Sequence, residues 1–153
     1  MSREAERAWR LAGALCGVVV LADQAAKAAV EANLTAGEHV DVLAGAGLAL
    51  SHNSGVAFGL AAGGGTGLVL LTAAALVVVG YLFWRDPTRP GMWVAAGLLA
   101  GGALGNLADR IRIDAVTDYV SIGGWPNFNL ADVCVTAGVL LLALSYARER
   151  PPR

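Results

Sequence analysis

The chain has 153 residues, 56% of them apolar and 15% charged, with a formal net charge of −1. That balance excludes an ordinary soluble domain and fits a single integral membrane domain over residues 1–153. A net charge so near zero gives no sign of a nucleic-acid partner.

Four apolar stretches reach about 20 residues, the length of a spanning helix. They are predicted at residues 9–30, 67–84, 92–111 and 130–147. Arg3, Arg7 and Arg10 precede the first. A cleavable signal peptide has the same order of arginines, apolar core and alanines. Its removal would leave the chain ends on opposite sides, yet both ends are rich in arginine. "LAGALCG" has the outline of a lipoprotein cleavage box at Cys16, but Leu15 stands where a small residue is needed. Cys16 and Cys134 both fall inside spans and are read as small packing residues.

After the first span comes "HVDVLAGAGLALSHN", with partial period-two alternation. Residues 38–60 are therefore predicted to form a small sheet. Open sheet edges do not face hydrocarbon, so it belongs above the bilayer. Gly55, in "NSG", suits a tight turn or a close backbone approach. Arg85 and Arg89 lie between the second and third spans. The third span contains Gly97, Gly101 and Gly105 at four-residue spacing, which favours close packing on a neighbouring helix. "SIGGWPNF" then forms a loop over a site or a simple interfacial anchor through Trp125. Arg148, Arg150 and Arg153 follow the fourth span.

This distribution of arginines places both termini in the cytoplasm. Residues 33–66 and 113–128 contain no Lys or Arg and face outward. Trp9, Trp84 and Trp93 fit the inner aromatic belt and Trp125 the outer one. Arg110 and Arg112, at the outer end of the third span, run against the rule and need a separate reason.

Ionisable groups are costly in a span, at about 2.5–3.5 kcal/mol each on insertion scales. Here they converge. Asp23 lies about 21 Å along the first span at 1.5 Å per residue, near the outer boundary. "GNLADR" ends the third span, and Asn129 and Asp132 open the fourth. Each group also has a purely structural explanation. Asp23 and Lys27, four apart, can neutralise one another. Asp109 beside Arg110 can be an interfacial pair, and Asn129 with Asp132 has the spacing of a capping box. Four packed helices alone, however, do not require amides, an arginine and several aspartates at one depth.

His39 and His52 are far apart in sequence, so a zinc site is not indicated. Lys27 could serve as base to a serine, but Ser51, Ser54 and Ser121 stand in no recognisable motif, and no "GxGD" occurs. Carboxylates remain, from Asp23, Asp109, Asp114, Asp118 and Asp132. Two close aspartates share a proton, and one then acts as acid while the other acts as base. Asp118 lies in apolar "VTDYV", where burial would raise its pKa. Asp132, at a helix start, tends to stay ionised. That contrast favours Asp118 with Asp132.

Four blocks together resemble bacterial lipoprotein signal peptidase, also called signal peptidase II. They are "DQAAK" (23–27), "NSGVAFG" (53–59), "GGALGNLADR" (101–110) with "VTDYV", and "FNLAD" (128–132). The resemblance implies four transmembrane helices with a small extramembrane sheet on the outer face of the bacterial cytoplasmic membrane. It implies an aspartyl endopeptidase that cuts a diacylglyceryl-modified prolipoprotein on the amino side of the lipidated cysteine. The family's catalytic pair falls on Asp118 and Asp132. Its substrate-binding or supporting residues fall on Asp23, Lys27, Asn53, Gly55, Asn106, Asp109, Arg110 and Asn129. It needs no metal or organic cofactor, and its expected partners are the lipid-modified substrate and membrane lipid, with no obligate protein partner. The rival readings are a small proton-coupled carrier, whose binding groups belong near the midplane, and a structural subunit for which the aspartates are dispensable.

Overall fold

The structure is a computed structural model that describes residues 1–55 and 66–147. Val56 to Gly59 of the second block, and the arginines at 148, 150 and 153, lie outside the described residues.

Helix α1 (Arg3–Asn33) has 31 residues, longer than predicted. The three leading arginines do not precede it but form its first turns. Ser2 caps it by accepting the Ala5 N–H at 3.2 Å, and Glu4 and Glu6 favour the positive end of the helix dipole. Strands β1 (His39–Leu43) and β2 (Ala46–Asn53) form a hairpin inside the predicted 38–60 segment. Helix α2 (Thr66–Arg85) follows, then α3 (Met92–Ile113), β3 (Val116–Ile122) and α4 (Leu130–Ala147). The sheet is antiparallel in the order β1-β2-β3, with Ser51 opposite Asp118.

Among the described residues, α1, α2 and α4 are long and apolar enough to cross a membrane. Helix α3 is also long, at 22 residues, but Asn106, Asp109, Arg110 and Arg112 make its C-terminal half polar. It lies at the centre of the bundle, where its small residues admit both neighbours. A Cβ on Gly101 would sit 2.6 Å from Val19 Cβ of α1. One on Gly102 would sit 2.5 Å from the Ala131 carbonyl of α4. Gly138 of α4 answers from the other side, where a Cβ would meet Leu99 Cγ at 2.7 Å. The predicted glycine stripe thus faces α1, and Gly102 adds a second close approach toward α4. Backbones this close gain dispersion contacts that larger side chains would prevent.

The end of the bundle away from the sheet is closed by Ala8, Ala12, Phe83, Met92 and Ala96, with Trp9 and Phe83 rings 4.5 Å apart. Arg89 clamps this end: its Nε donates to the Ser145 carbonyl at 2.7 Å, its guanidinium pairs with Asp86 at 3.5 Å and lies 4.2 Å from the Tyr146 ring centre. At the sheet end, Asp114 caps α3 in the left-handed region (φ 55°, ψ 21°) and donates its N–H to the Arg110 carbonyl. Aspartate tolerates that conformation better than most residues, and it turns the chain at once into β3.

Candidate active site

Where α1, α3, β3 and α4 meet, eight of the ten predicted site residues form one hydrogen-bonded cluster, and Gly55 joins it through Asn53 (N–H to Oδ1, 2.9 Å). Asp23, Lys27, Asp109, Asp118 and Asn129 are at most 3% exposed and Asn106 is 8% exposed, so each polar group must find a partner inside.

Lys27 organises the deep layer. Its three ammonium hydrogens match three acceptors: Asp23 Oδ2 at 2.8 Å, Asp109 Oδ2 at 2.9 Å and Asn106 Oδ1 at 2.9 Å. The ammonium thus occupies the place between two carboxylates. Among the described residues, no three His, Cys, Asp or Glu side chains are grouped to hold a metal ion. Asp23 uses its other oxygen to accept the Ala131 N–H of α4 at 2.9 Å. The cations beside Asp109 are therefore Lys27 and, at 3.6 Å, Arg112 rather than the adjacent Arg110, because residues 109 and 110 leave the helix about 100° apart. The Arg110 side chain is half-buried and makes no hydrogen bond or ion pair among the described residues.

Above that layer, obligate donors fix every amide. Asn106 Oδ1 accepts from Lys27 and, at 3.1 Å, from Asn129, so its NH2 faces Asp132 Oδ1 at 2.8 Å. Asn129 Oδ1 accepts the Asp132 N–H at 2.9 Å, and its NH2 is directed to Asp118 Oδ1 at 2.8 Å. Asn53 Oδ1 accepts from Gly55, and its NH2 reaches Asp118 Oδ2 at 3.1 Å. A backbone N–H or an ammonium can only donate, so none of the three amides can flip. Asp132 Oδ2 closes the ring by accepting the Asn129 N–H at 3.3 Å, which completes the predicted capping box. Capping and site formation are thus the same set of bonds.

Asp118 is 3% exposed, and burial pushes its pKa up to about 6. The nearby Asp132 charge adds to that rise, while hydrogen bonds from Asn53 and Asn129 act against it. A carboxyl that takes up a proton near pH 6 therefore stands close to a second aspartate. Such a pair can act as acid and base on one water and one carbonyl. A groove of about 460 Å³ leads away from Asp132 along α4, lined by Val133, Thr136 and Leu140 and roofed by Trp125 and Phe128.

Sequence reasoning missed Gln24, Glu31, Arg112 and Thr117. Gln24 Nε2 donates to the Gly105 carbonyl and to Asp109 Oδ1, both at 3.1 Å. Glu31 binds Arg112 through both oxygens, at 2.9 and 3.2 Å, which is the separate reason for an arginine at that end of α3. The signal was present: Asp23, Lys27 and Glu31 repeat every four residues on one face of α1. Of the remaining candidates, Asp114 is an exposed helix cap, and His39 forms an exposed pair with Asp41. "SIGGWPNF" is tied at its end by Val120 and Phe128, each donating its N–H to the other's carbonyl, and Trp125 is 72% exposed.

Fold and site together define a helical membrane protein with an aspartic acid–base centre at one end. The family model described as Signal peptidase (SPase) II matches residues 15–148. A lipoprotein signal peptidase of Pelotomaculum thermopropionicum is 43% identical over 139 residues, covering 88% of this chain and 90% of the relative. One from Dehalococcoides mccartyi is 36% identical over 139 residues, covering 87% and 85%. A solved structure, described as a bacterial membrane enzyme determined by the in meso method at 1.9 Å resolution, superposes with a TM-score of 0.84 at 28% identity, covering 91% of this chain and 94% of the other. The chain belongs to the signal peptidase II family. It is an aspartic-type protease that removes signal peptides from prolipoproteins. The carrier reading is thereby set aside, since these relatives are peptidases rather than transporters.

Proposed function

We propose that Asp118 and Asp132 are the catalytic pair and that the substrate is a prolipoprotein whose cysteine already carries a diacylglyceryl group. The observation that carries this reading is that both oxygens of each carboxylate face N–H donors whose orientation is locked. Such preorganisation supports a chemical role for the two acids, since it spares later rearrangement.

In this reading the cycle starts with the one shared proton on Asp118, whose burial favours the neutral form. Asp132 takes a proton from water as the oxygen attacks the scissile carbonyl. Asp118 gives its proton to the carbonyl oxygen, forming a tetrahedral diol. Collapse returns a proton from that diol to Asp118 and transfers the one on Asp132 to the leaving amine. One water is consumed, and the pair ends as it began. Asp23, Lys27, Asn53, Gly55, Asn106, Asp109 and Asn129 hold this arrangement, and Arg110 is left for the substrate.

Helix α3 is the fourth span in this reading, its polar half screened by α1 and α4. Both termini are cytoplasmic, and the sheet with the site lies at the outer membrane boundary. There the bond after a membrane-spanning signal peptide would arrive, on the amino side of the lipidated cysteine. The apolar groove along α4 would take an acyl chain. Purified protein in detergent, given a diacylglyceryl prolipoprotein, tests this. Asp118→Asn and Asp132→Asn should each abolish cleavage, and normal cleavage by either removes the assignment.

A further inference from the structure

Strand β3 is outermost in the sheet, and among the described residues its second edge carries no further strand, only the single Val120–Phe128 bridge. Buried against a helix bundle, backbone groups on that edge need other partners. Thr117 obtains them from three helices. Its N–H donates to Asp109 Oδ2 of α3 at 3.1 Å. Its carbonyl accepts from Asn129, at the head of α4, at 3.3 Å. Its hydroxyl donates to Glu31 Oε1 of α1 at 2.7 Å. Thr117 is 0% exposed, and its neighbour in the strand is Asp118.

Two of these ties end on residues already at the centre of the cluster. The third does not: Glu31 and Arg112 lie at its margin, 26% and 47% exposed, where an ion pair adds little stability of its own. The use of the pair is geometric. Successive side chains of a strand leave on opposite faces. A roll of β3 about its axis therefore swings Asp118 one way and Thr117 the other. Backbone bonds at the edge permit such a roll, whereas a bond at the tip of the Thr117 side chain opposes it.

We propose that Thr117 is a positioning residue whose hydroxyl, held by the Glu31–Arg112 pair, stops β3 from rolling and so sets the place of the Asp118 carboxyl. This rests on the reading of Asp118 as a catalytic residue. Valine matches threonine in shape and suits a strand equally well, so Thr117→Val isolates the hydroxyl.

The test uses the full chain in detergent with a diacylglyceryl prolipoprotein. Because misplacement by about 1 Å can cost on the order of 100-fold, Thr117→Val is expected to lower kcat about tenfold or more. KM should stay within about twofold, because substrate contacts are untouched. Thr117→Ser should restore kcat. The double variant Thr117→Val with Glu31→Gln should be no slower than Thr117→Val alone, because both break one link. Amide exchange across Val116–Ile122 should quicken in Thr117→Val while α1 and α3 keep their protection. Wild-type kcat in Thr117→Val, or a Thr117→Ser variant as slow as Thr117→Val, overturns the proposal. If Thr117→Val does not fold, Glu31→Gln reads the same link: lower kcat at unchanged KM supports it, and unchanged kcat overturns it. Asp118→Asn runs in parallel. Cleavage by that variant removes the catalytic reading itself, whereas an inactive Asp118→Asn beside an unimpaired Thr117→Val removes only the positioning role.

Discussion

Replacing Lys27 with methionine is the sharpest test of how the deep layer supports the site. The stem of the side chain is retained and the charge removed. Three hydrogen bonds of 2.8–2.9 Å disappear together, to Asp23, Asp109 and Asn106. Asp23 and Asp109 are both 0% exposed, so two carboxylates are left facing one another without water. Removing one partner of a single buried pair costs about 3–5 kcal/mol, and here two acids lose the same cation. A loss of about 4 kcal/mol or more is therefore expected, measured by reversible unfolding in mixed micelles on titration with SDS. Activity should fall as well. Without the ammonium, the Asn129 NH2 at 3.1 Å alone holds the Asn106 oxygen, so the amide that faces Asp132 is less firmly fixed. Adding Asp109→Asn removes one of the stranded charges and should recover part of the stability. If Lys27→Met unfolds within about 1 kcal/mol of the parent and cleaves normally, the ammonium is not what holds the layer together.

The protonation of Asp118 makes a signed prediction. Its pKa is pushed up to about 6, and the proposed mechanism starts with its proton in place, so kcat/KM should fall as pH rises through about 6. Asn53→Ala removes a hydrogen bond that favours the charged form, so that descending limb should move to higher pH, and an unchanged limb would contradict the assignment. Gly102→Ala should cost about 1–3 kcal/mol in the same micelle titration, because its new methyl would lie 2.5 Å from the Ala131 carbonyl. Its kcat should drop too, since α4 carries Asp132. Arg89→Ala should lose about 2 kcal/mol with the Ser145 bond, the Asp86 pair and the Tyr146 contact. That site is at the other end of the bundle, so kcat should not change.

Apolar run length located the helices well because each is long enough for composition to decide. The ends of α1 were less legible: arginines that orient a span also form good helix, and Ser2 caps them at the far end. The hairpin was visible as alternation, but β3 was not. "VTDYV" is short and buried along most of its length, with Val116 to Tyr119 all buried, so it shows no alternation. The carboxylates and amides were legible because ionisable groups are rare in apolar runs. Their pairings were not: Asp109 finds Lys27 across two helices, a distance of 82 positions in the chain. Thr117 escaped notice because a threonine in a strand needs no explanation until Glu31 is seen beside it.

The bond from the Ala131 N–H to Asp23 joins the last helix to the first. Helix α4 also supplies Asp132, and Asn129 comes just before it. During synthesis these arrive after every other part of the centre. A nascent chain that has threaded only its earlier helices lacks Asp132 of the proposed pair, and Asp23 still lacks its final donor. Docking of α4 therefore satisfies Asp23 and delivers Asp132 in a single event, so the first helix and the proposed catalytic pair are completed together.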